Sequence, residues 1–235
     1  QCCDFSDGTL VCLTPGESIS MKENNKEFPS KGWILAFHPD LICGTPLGLN
    51  IHNYTFFSYC PEEALHLSLR EKQIILEFLE RIRQELERCI DRHSKKIISK
   101  YIELLLDYCT RFYERQFITR SEVNKKVFRE FNHLLDNHFN VKVSLSTDVL
   151  SDEYCANLLH LSPAYFNDLL KYEIGKEFKE YIQFKRFEIA KGWLVNTDKT
   201  LGQIAQELGF SNSQYFSRLF KKITGCSPNE FRMPN

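Results

Sequence analysis

The chain is poor in the features that would place it in several common functional classes. Its formal charge nearly cancels, 30 Lys and Arg against 31 Asp and Glu, so there is no basic tail to hold nucleic acid without a fold. A local basic patch remains open, because distribution matters more than the total. No apolar run approaches the length needed to span a membrane, and no basic-then-apolar signal opens the sequence. There is no Gly-rich phosphate loop and no nucleophile elbow. Nine cysteines are present, an odd number (Cys2, Cys3, Cys12, Cys43, Cys60, Cys89, Cys109, Cys155 and Cys226). They form no Cys-x-x-Cys pair and have no His at ligand spacing, which points to reduced thiols of a cytoplasmic protein, several of them in the core, and away from a disulfide framework or zinc site. No cofactor is expected. Gln1 is not an initiator residue, so the chain is expected to begin inside a larger protein.

What is present divides into three stretches. Residues 1–60 read as β-rich: the apolar runs Thr9–Leu13, Trp33–Phe37 and Thr55–Tyr59 are punctuated by Asp7-Gly8, Pro15-Gly16 and Pro29-Ser30. Three or four such strands do not close a barrel alone, which suggests the tail end of a β domain. From Ser68 the pattern becomes helical. Ser68 and Glu71 form a capping-box pair, and Ile75, Leu79, Ile82, Leu86 and Cys89 recur at four- and three-residue steps.

A second helix runs from about Ser94 to Glu114 with Ile98, Tyr101, Ile102, Leu105, Tyr108, Cys109 and Phe112 inward. The short Asp91-Arg92-His93 connection predicts an antiparallel hairpin. Its stripes can pack on each other and on the β layer; surplus apolar surface over about 68–116 would instead make a homodimer contact. A third helix, roughly Ser121–Phe139, carries Val127, Phe128, Phe131, Leu134 and Leu135. The polar stretch Asn140–Asp148 lacks helical periodicity, so the domain boundary is expected there: 1–140 (β-rich to 60, helices about 68–139) and 141–235.

The last stretch contains one helical unit twice. Ala156-Asn157-Leu158-Leu159-His160-Leu161-Ser162-Pro163-Ala164-Tyr165-Phe166 is answered by Ala205-Gln206-Glu207-Leu208-Gly209-Phe210-Ser211-Asn212-Ser213-Gln214-Tyr215-Phe216. After one inserted residue the copies keep a 50-residue offset through Leu169 and Leu219, Gly175 and Gly225, and Tyr181 and Phe231. Ser162-Pro163 is a helix start, with Ser as cap and Pro where its missing N–H is harmless. Thr200 with Gln203 and Ser211 with Gln214 are capping-box patterns. Gly209 sits where a helix-turn-helix needs positive φ, and Ala205 is small where two helices cross. Between the copies an amphipathic helix from about Lys176 to Val195 carries Phe178, Tyr181, Ile182, Lys185, Ile189 and Trp193, placed to brace both.

Those residues, together with Tyr215-Phe216-Ser217-Arg218-Leu219-Phe220-Lys221-Lys222, Gly225-Cys226-Ser227-Pro228, Phe231-Arg232 and the pair Arg186 and Ala190, resemble the signature of the AraC family of bacterial transcription regulators. The resemblance covers roughly 145–235. Residues 1–140 resemble, less specifically, the family's regulatory half: a cupin-like β domain followed by dimerisation helices, here without the front of its barrel. The implied fold is mainly α with a β-rich N-terminal part, ending in a seven-helix-type domain whose two helix-turn-helix units are joined by a long helix. The resemblance implies that both second helices enter successive major-groove segments of double-stranded DNA, about one helical turn (~34 Å) apart. It places Ala164, Asn167, Asp168 and Lys171 of the first, and Ser213, Gln214, Ser217 and Arg218 of the second, toward the bases. Lys171 also lies near the backbone, and Lys221 and Lys222 face phosphates. Asn and Gln suit adenine, Arg suits guanine and Asp can accept from cytosine. A homodimer, a small-molecule effector and contact with RNA polymerase are the further partners expected.

Two departures set the copies apart. His160 stands where the second copy has Gly209, so the first turn is expected to be strained or differently shaped. Asp148, Asp152, Glu153, Asp168, Glu173, Glu177 and Glu180 surround the first unit against Lys171, Lys176 and Lys179. Residues 209–235 hold Arg218, Lys221, Lys222 and Arg232 against Glu230. The second unit should therefore supply more phosphate affinity, and the first selectivity or polymerase contact. Against an enzyme, His38-Pro39-Asp40 lacks the further ligands of a metal cupin, leaving Asp40 a turn residue. Cys226 lacks the neighbours of an alkyl acceptor. The competing function is a small-molecule sensor with Trp33, Phe37 and Tyr54 as lining, whose helical domain contacts protein partners rather than DNA.

Overall fold

Prolines start most of the short helical elements between residues 39 and 63. In the computed structural model, which describes residues 7–17, 32–140 and 150–232, a single pair of strands is present among the described residues: β1 (Gly8–Leu10) antiparallel to β2 (Leu65–Leu67), with Thr9 opposite His66. Between them lie α1 (Pro39–Ile42), α2 (Pro46–Asn50) and 3-10 turns at Ile51–Asn53, Thr55–Ser58 and Pro61–Glu63. Three of these five begin on proline, whose fixed φ and absent N–H suit a first helical position. A preceding residue completes each start. His38 Nδ1 accepts from the Asp40 amide (3.2 Å), Thr45 Oγ1 accepts from Gly48 (3.2 Å), and the Cys60 amide donates to the Glu63 carboxylate (2.8 Å).

The β-rich reading of residues 1–60 is corrected accordingly. Thr9–Leu13 overlaps a strand, Trp33–Phe37 has no regular structure, and Thr55–Ser58 is a helical turn. No cupin-like barrel is present among the described residues; Pro29-Ser30 lies outside them. The aromatic run at 54–59 is apolar because it seats on a helix: Phe56 stacks on Tyr113 (5.3 Å between centroids) and Tyr59 meets the same ring edge-on (5.1 Å).

That helix is α4 (Ser94–Thr119), five residues longer than its expected end. It packs on α3 (Leu69–Glu87), which opens with the Ser68/Glu71 capping box. Ile75, Leu79 and Ile82 are buried as their spacing predicts, while Leu86, in the last turn of α3, and Cys89, beyond its end, are exposed. Buried Gln116 of α4 clamps β2, accepting from the His66 amide (2.8 Å) and donating to Ala64 O (3.1 Å). No described helix is long and apolar enough to cross a membrane.

The described structure falls into two compact units, 1–124 and 125–235, which divide inside α5 (Ser121–Asn140). Residues 141–149, where the polar stretch suggests a break, lie outside the described residues. In the C-terminal unit, α5 contributes fully buried Phe131 and Leu135 to a core shared with Cys155, Ala156, Phe166, Leu170, Phe178, Tyr181 and Ile182. Phe131 meets Phe166 edge-on at 5.0 Å, and the Tyr181 hydroxyl donates to Asn132 Oδ1 (2.6 Å).

Six further helices complete this unit: α6 (Asp152–Leu158), α7 (Pro163–Ile174), α8 (Phe178–Asn196), α9 (Leu201–Glu207), α10 (Ser213–Thr224) and α11 (Pro228–Arg232). Helix α8 braces two cores. Phe178, Tyr181 and Ile182 enter the first; Phe187, Ala190 and Leu194 enter the second with Ile204, Ala205, Leu208, Phe216 and Phe220. At 100° per residue these two sets lie on nearly opposite sides of the helix. Of the rest of the expected stripe, Ile189 and Trp193 are half-buried and pack against the second core, as bracing requires, while half-buried Lys185 is not part of either core.

Candidate nucleic-acid interface

The two helix pairs are built on the same turn. In the first, the amide of His160 donates to Asn157 O (3.1 Å) and that of Leu161 to Ala156 O (2.9 Å); in the second, Gly209 donates to Gln206 O (3.0 Å) and Phe210 to Ala205 O (2.8 Å). His160 has φ +56° and Gly209 φ +74°, both left-handed. His160 therefore does not reshape the turn; it adopts the conformation that glycine adopts in the other copy, at the steric cost a Cβ carries there. Ala156 and Ala205 are buried at the crossing, where a larger side chain would push the helices apart.

Caps fix where each second helix starts. Ser162 Oγ accepts from the Tyr165 amide (3.2 Å), with Pro163 at the first helical position. In the second copy Asn212 Oδ1 accepts from Tyr215 (2.7 Å), so Asn212 is the cap and the Ser211/Gln214 capping box is not formed. The inserted residue is Ser211: it lengthens the turn and hands the capping position to its neighbour. The Thr200/Gln203 box is formed as expected. Both second helices end on a left-handed glycine, Gly175 and Gly225, whose amides donate to Lys171 O and Lys221 O (2.9 Å each).

Burying one face of each second helix leaves the other outward. On α7, Tyr165, Phe166, Leu169 and Leu170 are buried; Ala164, Asn167, Asp168 and Lys171 share the opposite face. On α10, Phe216 and Phe220 are buried; Gln214, Ser217, Arg218, Lys221 and Lys222 share the opposite face, with Ser213 at its start. The structure thus groups the sequence-derived site residues into two clusters, one per helix.

A family of helix-turn-helix domains matches residues 155–233. The C-terminal domain of AraT, a response regulator from Geobacillus stearothermophilus, is 33% identical over 45% of this chain and 83% of its own, with a TM-score of 0.39. The arabinose operon regulatory protein of Salmonella typhimurium is 32% identical over 101 residues, 43% of this chain and 32% of that protein. Through this domain the chain belongs to the AraC family. The HTH-type transcriptional regulator YijO of Escherichia coli matches more of the chain at lower identity: 24% over 230 residues, 97% of this chain and 77% of YijO. The chain spans less than half the length of most curated relatives it matches, from 14% upward.

Within this AraC-type domain the two outward clusters differ in what holds them. Asn167 Nδ2 donates to Asp152 Oδ2 (2.9 Å) and to Pro163 O (3.0 Å), and Lys171 pairs with Glu177 (3.2 Å). On α10 the Arg218 guanidinium lies over the Tyr215 ring, 5.8 Å from its centroid. Gln214, Arg218 and Lys222 are exposed and make no hydrogen bond or ion pair among the described residues. Hydrogen bonding from the Ser227 amide (2.6 Å) and then from its side chain, with the nearby Lys221 charge, holds the Glu230 carboxyl below its ordinary range.

Arg232 does not belong to the phosphate-facing set. Its guanidinium turns back to Leu194 O (3.3 Å) and Lys199 O, latching α11 to the end of α8. Neither the Asp152–Asn167 bond nor this latch carries a local sequence signal, since the partners stand 15 and more than 30 residues apart. Arg186 of α8 has a buried Nε without a hydrogen-bond partner among the described residues, and burial lowers its pKa from the ordinary guanidinium value. Burial, and then the Arg186 charge, lower that of His138.

The remaining candidates are scattered. Cys109 and Cys155 are buried, and burial pushes both thiols up, Cys155 to about 11, the opposite of nucleophile activation. His38 and Asp40 are exposed and form the start of α1. Trp33 is half exposed, and the Tyr54 hydroxyl is committed to Asp107 (2.8 Å), so the proposed sensor lining is not assembled among the described residues.

Proposed function

We propose that this chain is part of a sequence-specific, DNA-binding transcription regulator that acts in the bacterial cytoplasm. Helices α7 and α10 read two adjacent major-groove segments of double-stranded DNA, and residues 1–124 carry control, through dimerisation or a small-molecule effector. The observation that carries the reading is the outward face of α10. Gln214, Arg218, Lys221 and Lys222 line one side of a helix held by a helix-turn-helix turn, an asparagine cap and a glycine stop. An Arg with a ring beneath it and no carboxylate partner among the described residues is suited to the O6 and N7 acceptors of guanine. The acidic surround of α7 favours a role in selectivity or polymerase contact over phosphate affinity.

In-vitro selection on random duplexes with the whole chain tests this. The expected result is a bipartite site whose segments lie about one helical turn (~10 base pairs) apart, occurring in pairs if the chain dimerises. Absence of any enriched sequence would overturn the reading, and would leave the helical domain as a protein-binding module.

A further inference from the structure

Asn167 stands on the outward face of α7 with its amide nitrogen already committed. Nδ2 donates to Oδ2 of Asp152 on α6 (2.9 Å) and to Pro163 O one turn back in its own helix (3.0 Å). Both neighbours are oxygens that only accept, a carboxylate and a carbonyl, so chemistry fixes the amide orientation: nitrogen inward, Oδ1 left for a ligand. An unconstrained asparagine recognises adenine with two bonds, donating to N7 and accepting from the N6 amino group. Held as it is, Asn167 has no donor to give. Its Oδ1 can accept from adenine N6–H and equally from cytosine N4–H. Against thymine O4 or guanine O6 it sets one acceptor facing another.

We propose that Asp152 is a positioning residue that makes Asn167 an acceptor-only base reader. The first copy would then select an amino base (adenine or cytosine) over a keto base (guanine or thymine) at one position of the contacted strand. This rests on the reading of α7 as a groove helix. The device is confined to the first copy: the positions of Asp152 and Asn167 are taken in the second by Leu201 and Ser217, which cannot form such a bond. Asp168, another carboxylate on the same face, is also an acceptor. The α7 face therefore matches amino groups, while Arg218 and Lys222 of α10 match guanine acceptors and phosphates.

The test is competitive binding of the whole chain to duplexes carrying each of the four base pairs at every position of the selected site. Four proteins are compared: unmodified, D152A, D152N and N167A. The unmodified chain should show one position where A and C bind within about threefold of each other and about fivefold or more above G and T. D152A frees one N–H, so that position should narrow to A over C by about fivefold or more. D152N keeps an oxygen acceptor and should keep the tolerance for A and C, whereas N167A should flatten that position alone. An unchanged A-and-C tolerance in D152A, or equal weakening on every duplex in D152A and N167A, would overturn the proposal by making the bond purely structural. A site read only in the α10 half overturns this inference alone. No sequence preference in the unmodified chain overturns the function as well.

Discussion

In the first helix-turn-helix copy the turn passes through His160 and in the second through Gly209, yet both place the same pair of amide-to-carbonyl bonds and bury the same alanine. The outward side chains do not follow this agreement. Asn167 and Lys171 are held by Asp152 and Glu177, while Gln214 and Lys222 extend unheld and Arg218 rests on a ring. Backbone bonds in a tight turn leave little room for change, because a buried amide or carbonyl without a partner is costly. Solvated faces carry no such constraint and are free to acquire different chemistry. The duplication therefore preserves a scaffold and separates two reading surfaces, one of acceptors and one of donors.

The largest effect that could break this comparison lies beneath the surfaces. The first copy is supported by α5, through Phe131 against Phe166, and the second by the far half of α8, through Phe187 against Phe216. Phe131→Ala removes a fully buried ring and should destabilise the 125–235 unit by about 3–5 kcal/mol. The transition arising from 125–235 should move down while the one arising from 1–124 stays in place, as calorimetry with unit-specific proteolysis would show. If the transition of 1–124 moved instead, α5 would belong with the regulatory half, and the division at Asn124/Lys125 would not be a folding division.

A smaller effect sharpens the contrast between surfaces. Arg218→Ala should remove about 1–3 kcal/mol of discrimination at one guanine. Lys171, about half exposed and paired with Glu177, belongs to the class of surface ion pairs worth at most about 1 kcal/mol. Lys171→Ala should weaken binding slightly and equally on all duplexes. Quantitative binding at several salt concentrations separates the two, and Lys221→Ala should reduce the salt slope by about 1 if that lysine neutralises a phosphate. A greater loss from Lys171→Ala than from Arg218→Ala would reverse the assignment of affinity to the second copy.

Local rules made parts of this fold legible. Ser68 with Glu71, Ser162 with Pro163, and Thr200 with Gln203 cap helices where their spacing says they should, because a cap depends on three or four consecutive residues. The long stripe of α4 was legible for the same reason. Choosing between Ser211 and Asn212 was not, since both can cap and the choice depends on where the turn releases the chain. The stripe of α8 reached residues of both cores but did not show that the fully buried Phe187, Ala190 and Leu194 lie on the opposite side of the helix. Pro39, Pro46 and Pro61 start short helical elements together with the partners beside them, a local signal that the β-rich reading passed over. For the interface, the family resemblance implied which residues of the two second helices face outward, but the bond that disarms the Asn167 amide joins two helices 15 residues apart and has no such signal. Arg232 counts as a cation in the sequence and acts in the fold as a latch.

The smallest predicted effect tests whether the two turns are one turn. His160 is exposed, so its imidazole adds little packing, yet its Cβ sits in a left-handed residue at about 1–2 kcal/mol. Glycine there would escape that strain but lose more backbone freedom on folding, about 0.5–1 kcal/mol. His160→Gly should therefore stabilise the 125–235 unit by about 0.5–1 kcal/mol. For a unit of this size that raises the melting temperature by a few degrees. Gly209→His should produce a loss of similar size, and the two together should nearly cancel, since the turns belong to separate cores. A neutral or destabilising His160→Gly would mean that the imidazole makes a contribution the second copy lacks, and the shared backbone would no longer account for both turns.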